Sequence, residues 1–180
     1  CGIGTFVEKI INYKPNKVYG IDISEVSINK AKTKANDLKI NVDFSVDNCE
    51  KTKFDNNSFD VVYGTGILHH LQFNKCLDEI HRILKPNGSI VFVEPLGTNP
   101  LINIYRKLTP NSRSKDEHPL IKEDFDYIKG KFASTKIKYY GFLTLIFFPF
   151  YKDPIESQTF KLLSRLDQIL FKFNFFKLFA

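Results

Sequence analysis

Strand-length apolar runs alternate with helical segments through the first half of the chain, and this alternation constrains the fold more than any other feature. Apolar residues recur at helical spacing after Ser24, a residue suited to cap a helix N-terminus, and again within residues 74–84. Four runs have the length and pattern of strands: residues 18–22, 40–46, 59–63 and 90–93. This order is typical of an α/β fold with a Rossmann-like, doubly wound and mostly parallel sheet. The run 90–93 is apolar throughout, which predicts a strand buried on both faces.

The second half of the chain is less regular. Its pattern predicts helices over 101–108 and 121–129 and a strand over 132–140. A last helix is expected to begin with Asp153 as N-cap. Its inward stripe is predicted from six apolar residues at helical spacing: Leu162, Leu163, Leu166, Ile169, Leu170 and Phe173.

Composition excludes several classes of protein. Hydrophobic residues make up 43% and charged residues 26% of the chain, which argues against intrinsic disorder. Cys1, Cys49 and Cys76 are too few and too widely separated for a disulfide framework or a zinc site, so a reducing cytoplasm is expected and no metal is predicted. No apolar run reaches the roughly 20 residues of a membrane-spanning helix.

Charge and phenylalanine are concentrated in residues 96–180. All of the net charge of +6 and 12 of the 18 phenylalanines lie there, including the apolar run 141–150. This pattern leaves two interpretations open: an interfacial surface for a lipid-like or membrane-derived acceptor, with peripheral membrane contact, or a helical region with its phenylalanines packed inward. Nucleic acid is not expected as a partner, because the basic residues are dispersed and no recognition motif is present.

Ligands of doubly wound sheets bind at the carboxyl ends of the strands, so the residues that follow each predicted strand are candidates. Asp22 follows Gly4 by 18 residues, close to the roughly 20 expected between a nucleotide-binding turn and the acid that binds a ribose. Val7 stands where a dinucleotide loop needs a third Gly or Ala, which favours a nucleoside ligand without a pyrophosphate.

Five ordered stretches within residues 1–95 resemble the motifs of class I S-adenosylmethionine-dependent methyltransferases of the type 11 group. The first two are CGIGTF and YGIDIS, the third and fourth both lie in SVDNCEKTKFDNNSFDVVYGTGILHHL, and the fifth is LKPNGSIVFVEP. The resemblance implies S-adenosylmethionine as cofactor and one domain over 1–180, in which 1–95 bind the cofactor and 96–180 form a substrate-side cap. It assigns cofactor binding to Cys1, Gly2 and Gly4 (methionine part), Asp22 (ribose), Ile23 and Asp47 (adenine), Asn48 or Cys49 (support) and Gly64 (facing the methyl group).

The family's first strand and its acidic residue would precede Cys1. We therefore expect the chain to be a fragment that lacks this strand, with unpaired sheet edges, poor cofactor binding by the 180 residues alone and a tendency to aggregate.

Methyl transfer is an in-line displacement that needs alignment of the acceptor and a base only when the acceptor must lose a proton. The candidate bases are His69, His70, Glu94 and His118. His69 and His70 are adjacent and point about 100° apart on a helix, so at most one of them is expected to face the site. We expect a methyltransferase with a small-molecule or lipid-like acceptor. The alternatives are a nicotinamide-dependent Rossmann oxidoreductase and a non-catalytic scaffold that retains the fold.

Overall fold

The chain divides between Val93 and Glu94 into two units. The computed structural model describes residues 1–108, 117–147 and 157–180. The predicted helix start at Asp153 and residues 148–150 of the apolar run lie outside the described residues.

The first unit contains the predicted alternation of strands and helices. Its elements are α1 (Val7–Ile11), β1 (Tyr19–Asp22), α2 (Glu25–Asp37), β2 (Asp43–Val46), β3 (Phe59–Thr65), a 3₁₀ turn (Leu68–His70), α3 (Phe73–Ile83) and β4 (Leu84–Val93). All strand pairing is parallel, β1 with β2 and β3 with β4. The predicted α/β class with parallel strands is confirmed.

The four strands form two separate two-stranded sheets. Among the described residues, β1 and β3 each pair with one neighbouring strand. Aromatic rings connect the two sheets: the Tyr19 ring meets the Phe54 and Phe59 rings edge-on, at centroid distances of 5.4 and 5.5 Å. The contact between β1 and β3 is therefore made by side chains rather than by backbone hydrogen bonds.

Helix α2 packs on the sheet formed by β1 and β2. The Ser24 hydroxyl accepts a hydrogen bond from the Ser27 N–H at 3.2 Å, which confirms the predicted N-cap. The buried face of the helix joins one core cluster, formed by Val7, Ile28, Ala31, Ala35 and Phe44. Leu38, where the helix ends, is 45% exposed.

Strand β4 begins at Leu84, six residues before the predicted start. Val91 and Val93 are exposed, so the prediction of a strand buried on both faces is wrong. An apolar run allows a strand to be covered on both faces, but other elements must provide the two covering layers. Within this unit one face of β4 stays open.

The second unit contains helices α4 (Pro100–Leu108), α5 (Lys122–Lys131), α6 (Leu143–Phe147) and α7 (Gln158–Leu170), with a 3₁₀ turn at Phe176–Phe179. The first two helices confirm the predictions for 101–108 and 121–129. The strand predicted over 132–140 is absent, because its alternating pattern finds no pairing partner among the described residues.

Helix α7 turns a different face inward from the one predicted. Leu162, Leu166, Ile169 and Phe173 are exposed, while Asp167 on the opposite face is 1% exposed. The Asp167 carboxylate accepts hydrogen bonds from the Leu143 N–H and the Thr144 hydroxyl, both at 2.8 Å, at the start of α6. These bonds fix the rotation of the helix and leave those four residues of the predicted stripe outside, whereas Leu163 and Leu170 are half-buried as the stripe predicts. None of the described helices is long and apolar enough to cross a membrane.

Candidate functional site

A glycine turn opens the first unit. The Gly4 N–H donates to the Cys1 carbonyl at 3.2 Å, and both glycines have left-handed backbone, with φ of +55° at Gly2 and +74° at Gly4. A Cβ at Gly4 would lie 3.3 Å from the Cβ of Ala31, so this glycine permits the turn to pack on α2. A Cβ at Gly2 would meet nothing within 4 Å, so its backbone borders open space.

The Asp22 carboxylate lies at the carboxyl end of β1, against this turn. Its Oδ2 accepts from the Gly2 N–H at 2.8 Å and its Oδ1 from the Ser24 N–H at 2.9 Å; the Cys1 nitrogen lies 3.2 Å from Oδ2. Partial burial opposes ionisation, but the hydrogen bonds from the Ser24 and Gly2 N–H groups lower the pKa of Asp22 below its ordinary value. Asp22 is therefore an oriented, ionised acceptor.

Asp47 lies beside Asp22 at the same end of the sheet, because β1 and β2 are parallel and in register there. The Asp47 N–H donates to the Asp22 carbonyl at 3.1 Å. The Asp47 carboxylate accepts from the Asn48 N–H at 2.9 Å and the Lys53 N–H at 3.0 Å, which folds residues 47–53 into a closed loop. Each oxygen has a second lone pair, so the carboxylate can accept a further bond. Ile23, beside this edge, is 77% exposed.

The loop 47–53 is fastened to helix α3. The Glu79 carboxylate accepts from the Thr52 N–H at 2.8 Å and the Thr52 hydroxyl at 2.6 Å, and the Arg82 guanidinium donates to both of its oxygens, at 2.6 and 2.8 Å. The hydrogen bonds from Arg82, with those from Thr52, outweigh the cost of burial and lower the pKa of Glu79 to about 2. The Gln72 N–H donates to Glu50 at 2.7 Å and forms a further connection.

Sequence reasoning did not identify Thr52, Glu79 and Arg82. Glu79 and Arg82 are three residues apart on a helix, which suggests an ordinary surface ion pair, and nothing in the pattern indicates that Thr52 would meet them.

Cys49 belongs to the same loop and its thiol contacts that of Cys76 on α3. The hydrogen bond from Cys76 lowers the pKa of Cys49 against the opposing effect of burial. Cys76 is buried, and none of the three cysteines, which all lie among the described residues, forms a disulfide.

The other predicted site residues lie on separate elements. Gly64 lies on β3 opposite Phe92, whose ring fills the space that a side chain at this position would need. In the 3₁₀ turn, His69 is buried and His70 is exposed, with ring centroids 4.0 Å apart. Glu94 is half-buried and belongs to the second unit. The structure thus brings Cys1, Gly2, Asp22 and Asp47 together, with Asn48 and Cys49 on the adjoining loop.

Residues 1–92, more than half of the chain, match the family model described as a methyltransferase domain. This chain belongs to the class I S-adenosylmethionine-dependent methyltransferase family. It is 42% identical over 76 residues to the ubiquinone/menaquinone biosynthesis C-methyltransferase UbiE of Rickettsia prowazekii (strain Madrid E), a match that covers 41% of this chain and 31% of the relative. It is 32% identical over 112 residues to phosphoethanolamine N-methyltransferase 3 of Arabidopsis thaliana, covering 59% of this chain and 23% of the relative.

The chain thus spans about a third or less of the length of these relatives. Among solved structures, a SAM-dependent methyltransferase from Methanosarcina mazei aligns with a TM-score of 0.62 over 78% of each chain, at 24% identity. That similarity concerns the fold, and it confirms the Rossmann-like class for this family member.

Proposed function

We propose that the protein is an S-adenosylmethionine-dependent methyltransferase and that the first unit binds the cofactor at the carboxyl ends of β1 and β2. The observation that carries the proposal is the Asp22 carboxylate, ionised and held by the Gly2 and Ser24 N–H groups at 2.8 and 2.9 Å. An ionised carboxylate fixed beside a backbone turn is suited to accept hydrogen bonds from ribose hydroxyls.

The described residues fit such a nucleoside. The open space at Gly2 allows a ligand to approach the backbone closely, and Oδ1 of Asp22 keeps an acceptor position that the Ser24 N–H does not use. The unused lone pairs of Asp47 suit the exocyclic amine of adenine, and exposed Ile23 offers an apolar surface for the base. Asn48 and Cys49 support the loop that carries Asp47.

Val7 favours this ligand over a dinucleotide. It stands at the position of the third glycine of a dinucleotide loop, yet it is 8% exposed and packed in the core with Ile28 and Ala31. The close approach of helix and strand that a glycine would allow is replaced here by side-chain packing. The nicotinamide alternative has no such support.

S-adenosylmethionine supplies an electrophilic methyl group on a sulfonium sulfur. The chain's own contribution is to orient the cofactor through Asp22 and Asp47 and to exclude water from the reacting atoms. When the acceptor must lose a proton, His70 is the best candidate base of the two histidines, because it is exposed whereas His69 is buried. Glu94 and His69 remain weaker candidates, and Gly64 remains the residue proposed to face the methyl group.

The proposed acceptor is a small molecule of lipid-like character, used at a membrane surface. The named relatives act in quinone biosynthesis and on phosphoethanolamine, which are small-molecule chemistries. The exposed apolar side chains of the second unit, among them Leu162, Ile169 and Phe173, suit contact with a hydrophobic phase. Peripheral membrane contact is part of this proposal.

A calorimetric titration of S-adenosylmethionine into the full-length protein tests the cofactor assignment. Asp22→Asn removes the charge, and we expect binding roughly 10- to 100-fold weaker, since a hydrogen bond to a charged group contributes about 1.5–3 kcal/mol. Asp43→Asn is the matched control, because Asp43 lies at the other end of the same sheet, where it pairs with Lys17 at 3.1 Å.

Wild-type affinity in a folded Asp22→Asn variant would refute the role of Asp22. Binding of a nicotinamide dinucleotide in place of S-adenosylmethionine would favour the oxidoreductase, and binding without turnover on any small acceptor would favour the scaffold.

A further inference from the structure

We propose that the outward face of helix α7 docks the protein on an anionic lipid bilayer. This outward face consists of Leu162, Leu166, Ile169, Lys161 and Arg165 on the helix and of Lys172 and Phe173 in the turn that follows Leu170. The inference rests on the peripheral membrane contact proposed above, but not on methyl transfer.

The apolar half of the outward face is continuous. Leu162, Leu166 and Ile169 lie on one side of α7, and Phe173 extends the stripe in the turn that follows, where its N–H donates to the Leu170 carbonyl at 2.9 Å. Their exposed fractions are 57% at Leu162, 40% at Leu166, 53% at Ile169 and 61% at Phe173. Single exposed apolar residues are ordinary, but a continuous stripe of large ones indicates a surface that contacts another apolar phase.

The basic half adjoins this stripe. Lys161 and Arg165 are exposed and lie four residues apart on one side of α7, and exposed Lys172 lies in the turn that follows the helix. None of the three pairs with a carboxylate among the residues that the structure describes. These cations are therefore available for anions on a partner.

Residues 157–180 present no competing negative charge. Their one acidic residue is Asp167, which is 1% exposed and accepts hydrogen bonds from the start of α6. A surface with an apolar stripe, a basic edge and no exposed carboxylate complements a bilayer with anionic headgroups, into which the stripe inserts while the cations contact phosphates.

The same charges argue against a second copy of the chain as the occupant. Two copies that bury their stripes against each other would bring their basic edges into proximity without compensating carboxylates. A helix of 13 residues is also too short to span a bilayer, so α7 is expected to lie flat in the interface.

Flotation of the full-length protein with vesicles tests the inference. We expect it to bind phosphatidylcholine vesicles that contain phosphatidylglycerol at least about tenfold more tightly than vesicles of phosphatidylcholine alone. The double variant Ile169→Ser with Phe173→Ser is expected to weaken binding on the order of tenfold or more, since two inserted side chains are lost.

The matched control is Ile104→Ser with Leu108→Ser. This pair has the same spacing on α4 in the same unit and is 57% and 76% exposed, and we expect it to bind as the wild type does. For the charges, Lys161→Gln with Lys172→Gln is expected to abolish the preference for phosphatidylglycerol, whereas Lys30→Gln with Lys32→Gln on α2 is expected to retain it.

The assignment would be overturned if the α4 and α7 variants lost vesicle binding equally, or if a folded α7 variant bound vesicles as tightly as the wild type. The assignment would also be overturned if the wild-type protein were a dimer that binds no vesicles and Ile169→Ser with Phe173→Ser converted it to a monomer. Titration of S-adenosylmethionine without vesicles separates this inference from the proposed function: failure of cofactor binding with vesicle binding intact would refute only the methyltransferase proposal.

Discussion

Replacement of Glu79 tests whether the link between loop 47–53 and α3 holds the site together. Glu79 is 9% exposed, and its carboxylate accepts hydrogen bonds from the Arg82 guanidinium and from the Thr52 hydroxyl and N–H. Its pKa falls from 4.5 to about 2 on folding. At about 1.4 kcal/mol for each pKa unit, this corresponds to about 3 kcal/mol of stability at pH 7.

The pH dependence has a definite sign. Because folding lowers the pKa, the ionised form stabilises the native state fully above pH 4.5, and the contribution decreases as the pH falls towards 2. We expect Glu79→Gln to lower the free energy of unfolding by about 3 kcal/mol at pH 7 but only by about 1 kcal/mol at pH 3, measured by urea unfolding of wild type and variant at each pH.

Asp60→Asn is the control, because Asp60 pairs with Lys85 at 2.9 Å but its side chain is 81% exposed. A surface pair of this kind is expected to contribute less than about 1 kcal/mol. The reasoning would be refuted if Glu79→Gln lowered the free energy of unfolding as little as Asp60→Asn does, or by the same amount at pH 7 and pH 3.

Two further predictions concern the turn with the histidines and the second unit. His70→Gln is expected to lower turnover roughly 100-fold on an acceptor that must lose a proton, with cofactor affinity unchanged; equal turnover in a kinetic assay would exclude His70 as the base. Asp167→Asn is expected to destabilise the protein by about 2 kcal/mol, measured as a lower thermal midpoint. The Leu143 N–H donates to Oδ1 and the Thr144 hydroxyl to Oδ2, so an amide nitrogen in place of either oxygen faces a donor. A midpoint equal to the wild type would contradict the role given to these bonds.

Local pattern was sufficient for the elements that position the candidate site. The helical period after Ser24 and the short apolar run before Asp22 depend on neighbours within one turn or one strand, and both α2 and β1 form where the sequence indicates. The position of Asp22 beside the glycine turn follows from the same local signals, because residues at the end of a parallel strand meet the turns of its neighbours.

Long-range pairing could not be predicted in the same way. The alternation over 132–140 is compatible with a strand, yet a strand forms only where another backbone completes its hydrogen bonds, and no described segment does so there. The bond between Thr52 and Glu79 joins residues 27 positions apart, a distance over which the sequence carries no visible signal.

The sequence by itself determined the alternation of strands and helices, the family motifs and the identity of the charged residues at the strand ends. Only the tertiary structure decided which faces are covered. Helical periodicity shows that α7 has an apolar side, but the buried bonds of Asp167 to α6 rotate that side outward. The physical reason is that hydrophobic patterning is a property of one segment, whereas burial requires a second surface that supplies both contacts and hydrogen-bond partners.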